Sequence, residues 1–134
     1  GARSSELEDY LETAAASQGR YLQSEPTPER GYYYRSDHFN FAKVGIPALY
    51  AESGEDNVEF GREYGAAQAQ DYTDNRYHQP SDEYDASWDL SGGVQDIQLY
   101  FEIASRLANE ESFPNWYEGN EFKSIRDVSA DHRR

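Results

Sequence analysis

The 134-residue sequence has no cysteine, few basic residues and no long apolar run. Without cysteine the chain can form no disulfide and do no thiol chemistry, although this absence leaves the redox compartment open. No stretch approaches the roughly 20 apolar residues that a helix needs to cross a bilayer. The first residues lead straight into a helical pattern, so we see no signal peptide, although one could lie upstream.

The shortage of basic residues gives the chain a strong negative charge. Acidic residues outnumber Lys and Arg by 26 to 12, for a formal net charge of -14. A field of that sign repels nucleic acid and anionic membrane, so we expect neither as a partner. It favours cationic ligands, including the amino terminus of a peptide. The simpler interpretation is that surface acid keeps the protein soluble.

Aromatic side chains are abundant, at 15% of the residues, with twelve Tyr. That much ring surface favours a folded chain over a disordered one. The length suits one domain with a core and is too short for two.

Two helices and one strand are the clearest predicted elements. Leu7, Leu11, Ala14 and Ala15 mark one face of a first helix that ends by Gly19. The longest helix runs from Leu90 to about Asn109. Its apolar stripe is formed by Leu90, Val94, Ile97, Phe101, Ala104 and Ala108, and is widened by Tyr100, Ile103 and Leu107.

The best strand candidate is short and apolar and runs from Ile46 to Glu52. A sheet with so few strands leaves its edges open, and native domains usually cover or extend such edges. The pattern therefore favours part of an α/β layer protein over a complete one.

Three motifs stand in a fixed order between the two helices: Tyr33-Tyr34-Arg35-Ser36-Asp37-His38-Phe39-Asn40-Phe41-Ala42, then Gly45-Ile46-Pro47-Ala48-Leu49, then Tyr77-His78-Gln79-Pro80-Ser81-Asp82. With this order and spacing, the chain resembles the C-terminal part of the zinc aminopeptidase-like metallopeptidases, the M28 family, which includes glutaminyl cyclases. The resemblance extends from about Ser5 to Asp127.

The resemblance implies an α/β fold. We expect the C-terminal part of a three-layer α/β/α sandwich with a mixed sheet, the zinc-exopeptidase or phosphorylase/hydrolase-like fold, incomplete on its own. Residues 1–127 would be the C-terminal segment of an M28-like peptidase domain, and residues 128–134 a frayed tail.

His78 is the residue on which the resemblance places a metal. In the family two zinc ions are held by a His-x-Asp motif, a Glu-Glu pair, a further acid and a final His, and His78 matches that final His. Neutral imidazole suits zinc, and a partner on its second nitrogen would fix the tautomer. Asp82 is the candidate partner, or merely a turn acid. Tyr77 is a candidate catalytic residue, contacting the substrate or its oxyanion, or a ring that packs the loop.

Three further residues are candidates for substrate binding. Tyr33 and Ser36 match positions that line the substrate pocket in some family members, and Asp37 matches an acid near the active site of the cyclases. Helix capping would also explain Ser36 and Asp37. We expect His38 to be a structural hydrogen-bonding residue.

The sequence departs from the family pattern because it contains no His-x-Asp motif, and its acidic pair Glu110-Glu111 is typical of solvated surface. One imidazole cannot hold two metal ions. We therefore expect the general base and most ligands upstream of Gly1. On this interpretation the chain is the C-terminal segment of a zinc-dependent aminopeptidase that hydrolyses N-terminal peptide bonds through a zinc-activated water, and it is inactive alone.

Two alternatives stay open: a non-catalytic binding or structural relative of the peptidases, and glutaminyl cyclase-like acyl transfer. The cyclases tend to carry Trp where Tyr77 stands, which favours a peptidase. We expect a peptide substrate and the missing N-terminal half as partners of the parent protein, and self-association through uncovered faces. The resemblance also implies a secreted or periplasmic protein.

Overall fold

Helices make up about 50% of the structure, a computed structural model that describes residues 3–25 and 27–133. Positions 1, 2, 26 and 134 lie outside the described residues, and with them the outer ends of the predicted ranges 1–127 and 128–134. The α-helices are α1 (Leu7–Ser17), α2 (Tyr32–Arg35), α3 (Phe39–Ala42), α4 (Gly61–Asn75), α5 (Ser91–Asn109) and α6 (Lys123–Val128), with 3₁₀ turns at Pro28–Arg30 and Ala130–His132.

The chain divides into two compact units. Unit 1 comprises Gly1–Ala51 and Gln95–Arg134, and unit 2 comprises Glu52–Val94. The boundary at Val94 and Gln95 falls inside α5.

The predicted α/β sandwich with a mixed sheet is wrong, because residues 3–25 and 27–133 contain about 2% strand and no sheet. Among the described residues, the β pairing consists of isolated bridges between Ser5 and Trp116 and between Asn57 and Gly61. The predicted strand at 46–52 is irregular. A strand needs a neighbour for its backbone groups, and here the carbonyls of Ala48 and Ala51 instead accept from the hydroxyls of Tyr33 and Tyr100.

The main core of unit 1 lies between α1 and α5. Leu11, Ala14 and Ala15 on α1 cluster with Leu99 and Ile103 on α5. The predicted inner face of α1 is confirmed. On α5, Ile103 of the predicted apolar surface is buried and Leu107 packs against the core, whereas the six residues of the central stripe are exposed.

The helix α5 is apolar on two faces, and α1 covers only one of them. Ile97 is 70% exposed and Phe101 is 73% exposed on the other. Arg20, which follows α1, forms an ion pair with Asp96 of α5 at 2.7 Å.

A second core cluster in unit 1 contains Ala42, Trp116 and Phe122. The indole Nε1 of Trp116 donates to the carbonyl of Gly45 at 2.9 Å. Gly45 has a φ of 85°, which favours glycine, and it follows the short helix that ends at Ala42.

Unit 2 has no hydrophobic core of its own, since none of residues 52–94, all of them described, is buried. Its helix α4 approaches the preceding loop closely: a Cβ on Gly65 would lie 1.9 Å from the carbonyl oxygen of Glu55. In the described part of the chain, no helix combines the length and apolarity that a membrane crossing demands.

Candidate functional site

His78 lies in a tight turn directly after α4 in unit 2. The N–H of Gln79 donates to the carbonyl of Arg76 at 2.8 Å across this turn. The φ of His78 is 58°, and it is the one non-glycine residue with a positive φ within residues 3–25 and 27–133. Its ring is exposed and stacks on Tyr77, with 3.9 Å between the ring centroids. The turn therefore presents the imidazole to solvent.

The carboxylate of Asp82 contacts a tyrosine. The hydroxyl of Tyr72 donates to Asp82 at 2.9 Å, and this hydrogen bond raises the pKa of Tyr72. The turn is further closed by Ser81, whose hydroxyl donates to the carbonyl of Asn75 at 2.7 Å. No hydrogen bond joins Asp82 to His78 in the part of the chain that the structure describes. The roles assigned to Asp82 and Tyr77 stay predictions.

The described residues do not by themselves fit a zinc ion. Structural and catalytic zinc sites use at least three protein ligands. No three His, Asp or Glu side chains come together as a metal site anywhere in residues 3–25 and 27–133. His78 has the right donor chemistry for one ligand position, and the remaining ligands would have to come from elsewhere.

Tyr33 belongs to unit 1, where its side chain is half-buried. Burial, more than any neighbouring charge, raises the pKa of Tyr33 to about 12. Its hydroxyl donates to the carbonyl of Ala48 at 3.3 Å. Tyr33 also lines a cavity of about 360 Å³ together with Trp116 and Phe122. A polar ring beside a cavity is compatible with substrate contact, and that role stays a prediction.

Ser36 and Asp37 lie between α2 and α3 in unit 1. The hydroxyl of Ser36 donates back to the carbonyl of Tyr32 at 3.0 Å, so it does not cap the following helix. Asp37 is exposed, and its carboxylate has no hydrogen-bond partner among the described residues. The substrate-binding roles assigned to Ser36 and Asp37 stay predictions.

His38 is a polar group whose setting the sequence did not reveal. Its ring stacks on Tyr50 with centroids 4.9 Å apart and meets the edge of Tyr33 at 4.4 Å. The Nε2 atom is buried and has no hydrogen-bond partner in the described part of the chain. The prediction that His38 is a structural hydrogen-bonding residue is therefore wrong, and its ring is held by aromatic contacts instead. Burial lowers the pKa of His38, and the charge of Asp37 opposes that shift. Tyr50 lies 12 residues away, and no local spacing rule links such a pair.

The comparison with known families decides the assignment, because the model of peptidase family M28 matches residues 1–102. The chain belongs to peptidase family M28. The match covers about three quarters of the sequence. No curated protein and no solved structure matches the chain.

Membership of family M28 makes the chain a metallopeptidase-like segment. The matched range includes every predicted site residue, in both units. Peptidases of this family are generally zinc-dependent. The end of α5 and the segment through α6 lie beyond the match.

Proposed function

We propose that the chain is one segment of the catalytic domain of a zinc-dependent aminopeptidase, in which His78 is one metal ligand. The observation that carries this proposal is the left-handed backbone of His78 within a region that matches family M28. Left-handed non-glycine residues are uncommon, and such strain clusters at functional sites. The exposed ring gives His78 a free approach to a metal held by other polypeptide.

The remaining ligands come from residues that precede this segment in the proposed parent protein. The family pattern needs a His-x-Asp motif and a Glu-Glu pair near the metals, and the first is missing from the 134 residues. The exposed carboxylate of Asp37 and the net charge of -14 favour a substrate with a free amino group.

Hydrolysis of aminoacyl anilides tests the proposal at two levels. The isolated 134-residue chain gives no turnover with added zinc, and turnover would refute its status as a segment. In a longer polypeptide that carries the upstream motifs, His78→Ala lowers kcat/KM by more than the roughly 10–100-fold that loss of an outer-shell partner costs. His132→Ala is the matched control and leaves kcat/KM unchanged.

Two outcomes would favour the alternatives. If the upstream polypeptide lacks both ligand motifs, the chain belongs to a non-catalytic relative of the peptidases. If the longer protein cyclises N-terminal glutamine and leaves aminoacyl anilides intact, it is a cyclase.

The proposal also explains why one apolar face of α5 is exposed. Ile97 and Phe101 are 70% and 73% exposed, and the upstream half of the domain covers them in the parent protein. Alone, the chain self-associates through this face. Sedimentation of a monomer at all concentrations would contradict that expectation.

A further inference from the structure

Arg126 on α6 is a buried cation without a carboxylate partner in the described residues. The residue is only 9% exposed. One guanidinium nitrogen donates to the carbonyl of Pro114 at 2.8 Å, while its Nε is buried and has no partner in the same part of the chain. Buried arginines are normally paired, because an uncompensated buried charge is costly.

Arg133 is a second cation close to Arg126. Arg133 donates to the backbone carbonyl of Arg126 at 2.7 Å. Burial, followed by the charge of Arg133, lowers the pKa of Arg126. No ion pair within residues 3–25 and 27–133 includes Arg126, and Arg133 does not compensate its charge.

Arg126 lines an apolar cavity of about 310 Å³. This volume is at the small end of the range for small-molecule sites. Its apolar walls come from Leu7, Ile46, Pro47, Leu107, Phe113 and Pro114.

The one acidic side chain among the residues that line this cavity, Glu110, is already satisfied. It accepts from the hydroxyl of Tyr10 at 2.5 Å and from Nε of Arg106 at 2.7 Å. Glu110 therefore does not compensate Arg126, and it has no free oxygen pair for an ammonium group.

We propose that this cavity binds a small apolar monocarboxylate, whose carboxylate pairs with Arg126 while its hydrocarbon part contacts the apolar walls. Guanidinium and carboxylate form strong, charge-assisted and often bidentate hydrogen bonds, which supplies the missing counter-charge. The cavity lies within unit 1, and binding does not depend on the peptidase function proposed above.

Calorimetric titration of the 134-residue chain with 3-phenylpropionate and with 3-phenylpropanamide tests this proposal. The two probes differ in charge at the polar end and share the hydrocarbon part. We expect the carboxylate to bind about tenfold or more tightly than the amide. Arg126→Met abolishes this preference, whereas Lys123→Met, which removes a cation of the same helix outside the cavity, preserves it.

A second variant keeps Arg126 and fills the cavity. Ser112 is an exposed residue of the lining, and Ser112→Phe weakens binding of both probes by about tenfold or more. Equal affinity for the two probes, no saturable binding of either, a preference that survives Arg126→Met, or one that Lys123→Met also removes would each overturn the proposal.

Discussion

Gly45 and Arg126 approach each other so closely that a Cβ at position 45 would lie 2.6 Å from the backbone nitrogen of Arg126. The φ of Gly45 is 85°, and its carbonyl accepts from the indole of Trp116. This glycine therefore joins the segment after α3 to α6 and to the second core cluster of unit 1.

Alanine at position 45 would clash with the backbone of Arg126 and would be strained at the positive φ of this position. We expect Gly45→Ala to lower the free energy of unfolding, measured by urea denaturation, by about 1–3 kcal/mol. Gly92→Ala is the matched control, because a Cβ at position 92 would meet nothing within 4 Å and the residue lies in α5.

The control substitution should act in the opposite direction. Alanine is a better helix former than glycine, so Gly92→Ala raises the free energy of unfolding by up to about 1 kcal/mol. Equal effects of the two substitutions would contradict the close approach of Gly45 to Arg126.

Substitutions at Leu11 of α1 and at Phe101 of α5 test which face of α5 is buried in the core. Leu11 is 7% exposed between α1 and α5, whereas Phe101 is 73% exposed. We expect Leu11→Ala to cost about 2–5 kcal/mol because it leaves a cavity. Below the protein concentration at which the chain self-associates, Phe101→Ala should cost about 0.5 kcal/mol or less in the same urea titration. A larger loss for Phe101→Ala would show that the predicted stripe is buried after all.

Local patterns predicted the two clearest helices, α1 and α5. The apolar spacing of Leu7, Leu11, Ala14 and Ala15 identified both α1 and its inner face. For α5 the pattern predicted the helix, but the residues at the centre of the predicted stripe are exposed, whereas Ile103 and Leu107 at its margin contact the core. A helix with two apolar faces does not specify from its own sequence which one a neighbour will cover.

The sequence could not predict whether the apolar segment at 46–52 has a neighbouring strand to pair with. The apolar segment at 46–52 has the composition of a strand, but a sheet also needs a neighbouring strand, and the described residues supply none. The motif around His78 led to the family, whereas the setting of His38 against Tyr50 and the solitary charge of Arg126 depend on contacts between distant residues.

Glu110 gives the chain a pH-dependent contact between α1 and the end of α5. Hydrogen bonds from Tyr10 and then from Arg106 hold the pKa of Glu110 below its ordinary value of 4.5. A lowered pKa in the folded state stabilises the fold above pH 4.5, and this contribution is lost as the pH falls through the lowered pKa. We therefore expect Glu110→Gln to be less stable than wild type at neutral pH.

The difference in the free energy of unfolding between Glu110→Gln and wild type should disappear as the pH falls below 4.5. Urea denaturation across this pH range measures it. Glu111→Gln removes the neighbouring carboxylate and serves as the control, with little effect at neutral pH. A gap that stays constant down to strongly acidic pH would contradict the hydrogen-bonded role of Glu110.

The two units should differ in local stability. No residue in 52–94 is buried, whereas Leu7, Leu11, Ala14 and Ala15 of α1 are. Local opening is easiest where few apolar groups are buried. We expect amide hydrogens of α4 to exchange at least about tenfold faster than those in the middle of α1. Similar protection in both helices would contradict the absence of a core in unit 2.

Zinc content decides whether His78 is a metal ligand. In a polypeptide extended upstream to include the His-x-Asp and Glu-Glu motifs, we expect about two zinc ions per chain. The variant His78→Ala should lose at least one of them under conditions in which His132→Ala retains both. Full zinc occupancy in His78→Ala would contradict the assignment of the imidazole after α4 to the metal centre.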